Sequence, residues 1–405
     1  MYNRYRVRIV KILFAIFILV IVFVGIKFSQ KPKTIPIPSS EKPVKSLISS
    51  GGIPNIPFKL ASEFTIHIYA EGLGNPRDLV FSPGGTLLAS NPIGNQIVAL
   101  PDKDHNGVSD IEKIVIDEGN HVHGLAFYNK LFVAEEKRVV RYTWDEENLK
   151  ATFDKVLFSL PENNNHNNRT LVFDTDGTLY ISVGSTCNAC LETSEFSATV
   201  LISDYNGTTP RVFAKGLRNA PFLAFNPLTN ELWATEMGRD WLGDNTPPDE
   251  INIVRGKRDY GWPYCYGNRV HDNNFDPSNF HFCNKTELPV HEIPAHSAPL
   301  GLVFVQSKQF PSDWQHDLLV SYHGSWNRSI PTGYKVVRMK VKDNTITKVE
   351  DFLTGFMEGE TVYARPVDLI FDDAGSLYVS DDKAGNIYII QKKIKLSMLD
   401  ISSRP

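Results

Sequence analysis

NRTLVFDTDGTLYISVGS, residues 168–185, consists of two short apolar runs joined by a turn. The first run ends at Phe173, a polar turn with Asp-Gly follows, and a second run of apolar and aromatic residues completes the unit. Runs of this composition, bounded by turn-forming residues, predict paired β-strands. The unit occurs six times, with its marker phenylalanine at Phe81, Phe127, Phe173, Phe225, Phe304 and Phe371. Strand-rich repeats spaced by 46 to 79 residues are typical of β-propeller blades.

A third strand-like run follows each unit. These runs are Gln96–Leu100, Arg138–Tyr142, Thr199–Ser203, Glu250–Val254, Tyr334–Lys340 and Asn386–Ile390. The sequence therefore predicts an all-β fold, a six-bladed β-propeller over residues 61–393. Residues 64–69 (FTIHIY) form one more strand-like run before the first unit. We expect it to complete the last blade, because this closes the ring and removes the free sheet edge.

The N-terminus has a different character from the repeats. Four basic residues (Arg4, Arg6, Arg8 and Lys11) precede the apolar run at 12–26. Residues 1–28 are predicted to form a transmembrane signal anchor, with a cleaved signal peptide as the alternative. The basic flank stays inside, so the propeller is expected to be membrane-anchored on the extracytoplasmic side. Residues 29–60, rich in Pro, Ser and Lys, predict a flexible linker, and residues 394–405 a C-terminal tail.

Composition limits the possible partners and the redox compartment. The chain has 405 residues, 42% of them hydrophobic, and a net charge of -4, so no basic excess indicates a nucleic-acid partner. In an exported protein the four cysteines are disulfide candidates. Cys265 and Cys283 could close a loop, and Cys187 and Cys190 could form either a small ring or half of a metal site. The chain has no second Cys-x-x-Cys, which favours the disulfide.

The residues at the ends of the innermost strands are candidates for a functional site, because in a propeller these ends converge on one mouth of the central channel. Residues just before the first strands are Arg77, His123, His166, Arg169, Arg218, Asn219, His296 and Arg365. Residues at the ends of the second strands are Glu135, Ser185, Glu236, His323, Asp381 and Asp382. A mostly cationic mouth suits an anionic small molecule. Alternatively, each arginine caps carbonyls or pairs with a neighbouring carboxylate.

Two acidic stretches are candidate metal sites. Asp102, Asp104, Asn106 and Asp110 have the D-x-D-x-N-G-x-x-D spacing of a calcium loop, although Lys113 stands where the bidentate Glu usually occurs. The alternative is a plain polar hairpin turn. A second possible oxygen cage comprises residues 236–240 with Asp249 and Glu250.

The order and number of the chain's motifs resemble the soluble quinoprotein glucose/sorbosone dehydrogenases, above all the sorbosone-dehydrogenase-like, aldose-oxidising branch. The motifs are VHGLAF (122–127), HNNRTLVFDTDGTLY (166–180), SVGSTCNAC (182–190), GLRN (216–219), YGWP (260–263), PAHSAPLGL (294–302), HGSWNRSIPTGYKVVR (323–338) and ARPVDLIF (364–371). The resemblance covers about residues 65–390 and also implies a six-bladed propeller.

The resemblance implies an oxidoreductase that uses pyrroloquinoline quinone (PQQ) and Ca²⁺. Such an enzyme oxidises an aldose sugar or sugar aldehyde at C1 and passes electrons to an external quinone or cytochrome. His166 matches the family's general base, which takes the substrate hydroxyl proton while hydride moves to the quinone. Arg218 matches the arginine beside the quinone carbonyl, where it stabilises developing charge.

Further cofactor contacts are implied in the same way. Asn219 and Arg365 match cofactor-binding positions, and Arg328 or Lys335 could supply another cation. His123 is a further candidate contact, with a hydrogen-bonding plug of the channel as the alternative. The backbone carbonyls of the pair Gly238 and Arg239 match the positions that hold calcium in the family.

The chain departs from the family pattern at several positions. Ser185 stands where the glucose-oxidising branch has an aspartate that orients the base, and Val367 stands where a second arginine is expected. The substrate therefore need not be glucose. Two other functions stay open: a non-catalytic propeller that binds glycans or proteins, and a calcium-dependent lactonase-type hydrolase. Trp241, Trp262 and Trp326 are expected to be packing residues rather than substrate contacts.

Overall fold

The computed structural model describes residues 51–163 and 165–393. In this part of the chain six antiparallel sheets, five with four strands and one with five, form the blades of a propeller, and the only helices are two short 3-10 turns. The prediction of an all-β, six-bladed propeller is confirmed. Among these residues no helix is long and apolar enough to cross a membrane. The predicted anchor, most of the linker and the C-terminal tail lie outside the described residues.

The strands follow the repeat. β1 (Lys59–Leu60) and β2 (Phe64–Ala70) come before the first unit. Blade 1 contains β3 (Leu79–Phe81), β4 (Leu87–Asn91), β5 (Gln96–Leu100) and β6 (Lys113–Ile116); blade 2 contains β7 (Leu125–Tyr128), β8 (Lys130–Glu135), β9 (Arg138–Asp145) and β10 (Lys150–Ser159); blade 3 contains β11 (Arg169–Phe173), β12 (Thr178–Val183), β13 (Thr199–Asp204) and β14 (Arg211–Lys215).

The later blades carry insertions. Blade 4 contains β15 (Leu223–Phe225), β16 (Leu232–Glu236) and β17 (Asp249–Val254), then an insertion with β18 (Cys265–Tyr266), β19 (Val270–His271) and the 3-10 helix Phe280–Lys285, and finally β20 (His291–Ile293). Blade 5 contains β21 (Pro299–Phe304), the 3-10 helix Ser312–Trp314, β22 (Leu318–Tyr322), β23 (Lys335–Lys342) and β24 (Thr345–Thr354). The hairpin of β25 (Met357–Glu358) and β26 (Thr361–Val362) precedes blade 6, which contains β27 (Pro366–Phe371), β28 (Leu377–Asp381) and β29 (Asn386–Lys392).

The ring is closed by the strand expected from the sequence. β2 pairs antiparallel with β29, so the sheet order of blade 6 is β2-β29-β28-β27. The register runs from Phe64 opposite Lys392 to Ala70 opposite Ile387. The first long strand thus covers the edge of the last blade, and the two ends of the ring cannot separate without breaking a sheet.

The marker phenylalanines explain why the repeat keeps an aromatic residue at one place. Five of the six rings lie against an aromatic ring of the preceding blade. The pairs are Phe81–Tyr378, Phe173–Phe132, Phe225–Tyr180, Phe304–Trp233 and Phe371–Phe310, with centroid distances of 4.7 to 5.5 Å and edge-to-face geometry. Aromatic pairs of this geometry stabilise beyond the area they bury. The repeated Phe therefore packs one blade on the next.

Polar ties join the blades near the channel. Thr235 Oγ1 at the end of β16 donates to Leu300 O of blade 5 at 2.8 Å, and Ser380 Oγ of β28 donates to Arg77 O of blade 1 at 2.6 Å. Asp368 Oδ2 accepts the backbone N–H of Leu79 at 2.8 Å. Each tie satisfies a backbone group that the short inner strands leave unpaired.

Both predicted disulfides are present. Cys265 and Cys283 close the insertion of blade 4, with their Cα atoms 5.8 Å apart. Cys187 and Cys190 close a ring of four residues just after β12. The alternative in which the Cys-x-x-Cys pair forms half of a metal site is not the arrangement found.

Candidate functional site

The residues that precede the first strands and follow the second strands meet at one mouth of the channel. Arg77 forms an ion pair with Asp382 and donates through Nε to His123 Nε2 at 3.3 Å. His323 Nε2 lies 2.9 Å from Asp382 Oδ1. Arg365 donates to the Tyr334 hydroxyl at 3.2 Å. Blades 1, 2, 5 and 6 therefore contribute to one charged network.

Burial and neighbouring charges together set the charge of this network. Burial would raise the pKa of Asp382, but His323 and Arg77 outweigh that effect and lower the pKa to about 2. Burial lowers the pKa of His323 and, with Arg77, that of His123. At neutral pH the network therefore consists of an ionised carboxylate, arginines and neutral imidazoles, and it keeps a positive balance.

His123 lies behind this network rather than in the open mouth. Its ring is fully buried and packs edge-to-face on Phe222. Nδ1 lies 3.1 Å from Arg169 O and therefore carries the proton, which leaves Nε2 to accept from Arg77. His123 thus holds Arg77 in place. Arg169 itself is 1% exposed and donates to the carbonyls of residues 136, 161 and 166, so it is a structural cap.

His166 faces the mouth from the start of blade 3. Its Nδ1 lies 2.9 Å from Ser185 Oγ and 3.0 Å from Ser185 O. Ser185 Oγ donates its own proton to Cys187 O at 2.7 Å, so it can only accept from the ring. Nδ1 therefore carries the hydrogen and Nε2 has the lone pair. The exposed amide of Asn165 lies 3.3 Å from Nε2.

The backbone around His166 is fixed by Asn163, whose role the sequence did not reveal. Its amide donates to His166 O, Gly184 O and Ser185 O at 2.8 to 2.9 Å, and its Oδ1 accepts from His166 N at 3.0 Å. A Cβ at Gly184 would lie 2.5 Å from His166 Cβ, so only glycine allows this approach. Burial, together with nearby Arg218, lowers the pKa of His166 to about 3.

Arg218 lies beside His166 at the start of blade 4, with 4% of the residue exposed. Nε donates to Asn188 O at 3.0 Å and Nη2 to Asn188 Oδ1 at 2.9 Å. Nη1 donates to Gly238 O at 3.0 Å, and Asp240 Oδ2 lies 3.5 Å from Nη2. The guanidinium is therefore a cation whose plane is fixed by neighbours on several sides.

The second possible oxygen cage is a buried carboxylate cluster under Arg218. The Asn252 amide donates to one oxygen of Glu236 and one of Glu250, both at 2.9 Å. Asp249 accepts from Gly238 N and Ala298 N, both at 2.9 Å. Burial raises the pKa of Glu236 and brings that of Asp249 to about 7. The cluster fixes the chain that follows β16.

The remaining predicted contacts are distributed unevenly around the mouth. Asn219 lies beside Arg218, with its amide 3.5 Å from Met237 Sδ. Arg328 donates to Ala295 O at 3.0 Å and to Asn245 Oδ1 at 2.9 Å. Lys335 begins the third strand of blade 5, and its Nζ pairs with Asp351 at 2.6 Å. Because β23 is the third strand of its blade, Lys335 lies two strands away from the channel. Arg239 pairs with Asp272 at 2.9 Å.

The predicted calcium loop joins β5 to β6 and lies at the face opposite the mouth. Asp102 accepts the backbone N–H groups of Asn106 and Gly107 at 3.1 and 2.9 Å, and Asp104 Oδ1 accepts from Asn106 N at 3.2 Å. Asp110 Oδ2 accepts from Lys103 N at 2.8 Å. This is the hydrogen bonding of a polar turn, and calcium binding here stays a prediction.

Trp241 and Trp326, two of the chain's six tryptophans, lie on the rim of the mouth. Trp241 is 58% and Trp326 52% exposed, and their rings meet edge-to-face at 5.4 Å. Asp240 and Asn327, the residues beside them, join the two loops through a hydrogen bond of 2.7 Å. Trp262 is half-buried and donates to Asn188 O at 3.4 Å. Trp262 is therefore partly packed inside the protein, as expected from the sequence, whereas the side chains of Trp241 and Trp326 are exposed.

Comparison with known proteins gives a consistent family. The family model described as TrAA12-like matches residues 58–393. An uncharacterized protein of Borreliella burgdorferi is 33% identical over 282 residues, which is 64% of this chain and 72% of that protein. The pyrroloquinoline quinone-dependent pyranose dehydrogenase of Coprinopsis cinerea is 24% identical over 411 residues, which covers 84% of this chain. The match spans 55% of that enzyme's length.

A solved structure shows the same fold. The holo form of the pyranose dehydrogenase PQQ domain from Coprinopsis cinerea superposes with a TM-score of 0.74 at 22% identity. The superposition covers 84% of this chain and 98% of that domain. At this identity the likeness supports the propeller alone.

Proposed function

This chain belongs to the TrAA12-like family of soluble quinoprotein sugar dehydrogenases, and we propose that it oxidises an aldose sugar or sugar aldehyde at C1 with PQQ as cofactor. The observation that carries the proposal is the placement of a neutral imidazole, His166, beside a fixed cation, Arg218, in one channel mouth. A proton acceptor and a charge stabiliser are the two groups that such an oxidation needs from the protein.

The residues of the mouth fit PQQ by the chemistry of their side chains. The cofactor carries three carboxylates, and Arg77, Arg218 and Arg365 surround the same opening. Arg365 donates to the hydroxyl of Tyr334, a neutral group, and its guanidinium lies 5.2 Å from the centre of the Tyr334 ring. Its positive charge can therefore bind an anion. Arg218 and Arg365 would therefore hold the cofactor. When bound, PQQ supplies the acceptor for the two electrons of the substrate.

The fit of Ca²⁺ at the carbonyls of Gly238 and Arg239 is weaker and stays a prediction. Gly238 O already accepts from Arg218 Nη1 at 3.0 Å. A guanidinium at this distance repels a divalent cation, so calcium there requires Arg218 to turn away. The proton transfer to His166 does not depend on the metal.

The chain's own residues define the proton path. His166 Nε2 accepts the proton of the C1 hydroxyl, because Nδ1–H is held by Ser185. Ser185 thus provides the orientation that an aspartate provides in the glucose-oxidising branch, but without a negative charge. The imidazolium that forms is stabilised by two neutral oxygens rather than by a carboxylate. Arg218 stays fixed while charge develops beside it, which avoids reorganisation during the reaction.

The other two functions receive less support from the geometry. A lactonase-type hydrolase needs carboxylates or imidazoles that converge on a metal. Over residues 51–163 and 165–393, one group of three side chains of metal-binding type (His, Cys, Asp or Glu) lies close together, namely Cys187, Cys190 and Glu192. Its two sulfur atoms are already joined in the disulfide. A binding propeller does not require the oriented pair of His166 and Arg218. Membrane anchoring, the extracytoplasmic location and the electron acceptor stay predictions from the sequence.

Reconstitution tests the proposed function. Purified protein is incubated with PQQ, with and without Ca²⁺, and reduction of a dye acceptor is followed with a panel of aldoses and aldehydes. We expect turnover with at least one sugar and the corresponding lactone or acid as product. Turnover that does not require PQQ, or a complete lack of turnover despite bound PQQ, would contradict the proposal.

The pH dependence of kcat/KM should lack the acid limb of an ordinary histidine. A group with a pKa lowered to about 3 stays neutral from pH 7 down to about pH 4, so the base is available throughout this range. We expect kcat/KM to change little between pH 7 and pH 5. The free energy of unfolding is measured over the same range to separate loss of folded protein. A midpoint near pH 6.5 would show that His166 is an ordinary imidazole.

The exposed pair of Trp241 and Trp326 predicts a stacking surface for sugar rings at the rim. Changing either residue to alanine should raise KM about fivefold with little change in kcat, because one aromatic contact is worth about 1 kcal/mol. Phe153→Ala, on the outer strand of blade 2 and 59% exposed, is the matched control. The rim does not contact substrate if KM is unchanged in both tryptophan variants, or if it rises by the same factor in Phe153→Ala.

A further inference from the structure

The loop at 186–192 lies between His166 and Arg218, the two residues proposed to act in the reaction. It begins directly after Ser185, whose hydroxyl accepts from His166 and donates to Cys187 O. One residue later, Asn188 accepts from Arg218. The same short loop therefore contacts the support of the base on one side and the cation on the other.

Asn188 directs its backbone carbonyl and both atoms of its side-chain amide at the site. Its backbone oxygen accepts from Arg218 Nε at 3.0 Å and from Trp262 Nε1 at 3.4 Å. Its side-chain Oδ1 accepts from Arg218 Nη2 at 2.9 Å and from Asp240 N at 2.8 Å. Its Nδ2 donates to Asp240 O at 3.1 Å. The side-chain amide of Asn188 thus makes two hydrogen bonds to the backbone of Asp240, one as donor and one as acceptor. The same amide oxygen also binds one edge of the Arg218 guanidinium.

Two ties restrict the loop that carries Asn188. The Cys187–Cys190 disulfide closes a ring around it, with the two Cα atoms 6.1 Å apart. Glu192 accepts from Thr186 N and Thr186 Oγ1, both at 2.7 Å. Closing a loop in two places removes most of its alternative conformations. The carbonyls of residues 187 and 188 are therefore fixed before any ligand arrives.

We propose that Asn188, held in its ring by the Cys187–Cys190 disulfide, is a positioning residue that fixes the Arg218 guanidinium relative to the His166 imidazole. It acts on the reaction through Arg218. The proposal rests on the proposed function. Since Arg218 acts mainly where charge develops, its misplacement lowers kcat more than it raises KM. Opening the disulfide has the same effect, so the activity is sensitive to reducing agents.

Kinetics of variants in this loop provide the first test. Asn188→Ala should lower kcat about 10- to 100-fold, less than the loss on removing a charge-stabilising donor altogether. Asn188→Asp keeps the oxygen atoms that accept from Arg218 and Asp240 N, so it should recover much of that loss. Leu191→Ala, in the same loop with a 66% exposed side chain, should match the wild type. Equal losses in the Ala and Asp variants, or an unchanged kcat in Asn188→Ala, would overturn the proposal.

A second readout needs neither cofactor nor turnover. In protein labelled with ¹⁵N-arginine, the Nη2–H signal of Arg218, whose acceptor Oδ1 is removed in Asn188→Ala, is identified by its loss in Arg218→Lys, and its hydrogen exchange with water is measured. Exchange should accelerate in Asn188→Ala and in Cys187→Ser with Cys190→Ser. It should stay slow in Leu191→Ala and in Cys265→Ser with Cys283→Ser. Slow exchange in all four would overturn the positioning role even if PQQ-dependent activity is found; the predicted pattern would support it even if no activity is found.

Discussion

Changing His166 to alanine should lower kcat by about 10²- to 10⁴-fold, the range expected for loss of a general base. Nε2 carries the ring lone pair that can accept a proton, because the other nitrogen is held by Ser185. PQQ binding should remain, because the arginines of the mouth stay in place. Turnover by stopped-flow and PQQ affinity by absorbance are measured on the same samples.

Two controls separate catalysis from folding in this experiment. His281→Ala changes an exposed histidine in the insertion of blade 4 and should leave kcat unchanged. Ser185→Ala removes one acceptor of Nδ1 but keeps the carbonyl, so its loss should be smaller than that of His166→Ala. Normal turnover in His166→Ala would remove His166 from the mechanism.

Changing Arg218 to alanine should lower kcat/KM by about 10²- to 10³-fold and also weaken PQQ binding. It should lower the melting temperature as well, because Asn188 Oδ1 and Gly238 O each lose a donor inside the protein. Arg218→Lys keeps the charge but cannot reach both groups at once, so it should restore binding more than kcat. The readouts are kcat, KM and PQQ affinity, with the melting temperature as a fourth.

Arg258→Ala is the matched control for this variant. Arg258 is 59% exposed and pairs with Glu287 at 3.4 Å, away from the channel mouth. Its loss should leave all four quantities close to those of the wild type. If Arg218→Lys equals the wild type in kcat, the fixed guanidinium plane has no catalytic role.

The architecture could be predicted from the sequence because each repeat carries its own packing signal. Phe173 and Phe304 show the reason: each lies against a ring of the preceding blade, so the position tolerates little else. The closing strand at 64–70 was predictable for a similar reason, since an open ring leaves an edge that needs a partner. Such signals repeat, and repetition makes them visible in a single sequence.

The ends of strands were predictable, but the directions of side chains were not. The ring geometry places Arg77 beside Asp382 and His166 beside Ser185, as the strand order indicates. Lys335 also begins a strand at the mouth, yet it belongs to the third strand of its blade and pairs outward with Asp351. The sequence placed Lys335 in a third strand-like run, but it could not show that the side chain points outward to Asp351 rather than to the mouth.

The loop contacts could not be predicted. Asn163 and Asn188 are single amides in polar loops, and asparagine in such a loop ordinarily serves only the local turn. Their partners, such as Gly184 O and Arg218, are 21 and 30 residues away along the chain. The Cys-x-x-Cys spacing around Asn188 was the one available signal, because it indicated a loop with a restricted conformation.

A calorimetric titration of PQQ into the purified protein, followed by anaerobic addition of the best aldose, tests directly whether the channel mouth is a PQQ site that oxidises sugars. We expect saturable binding of one PQQ per chain and loss of the oxidised-cofactor absorbance when the sugar is added. An absence of saturable binding would contradict the proposal. So would bound PQQ that stays oxidised with every aldose and aldehyde tested.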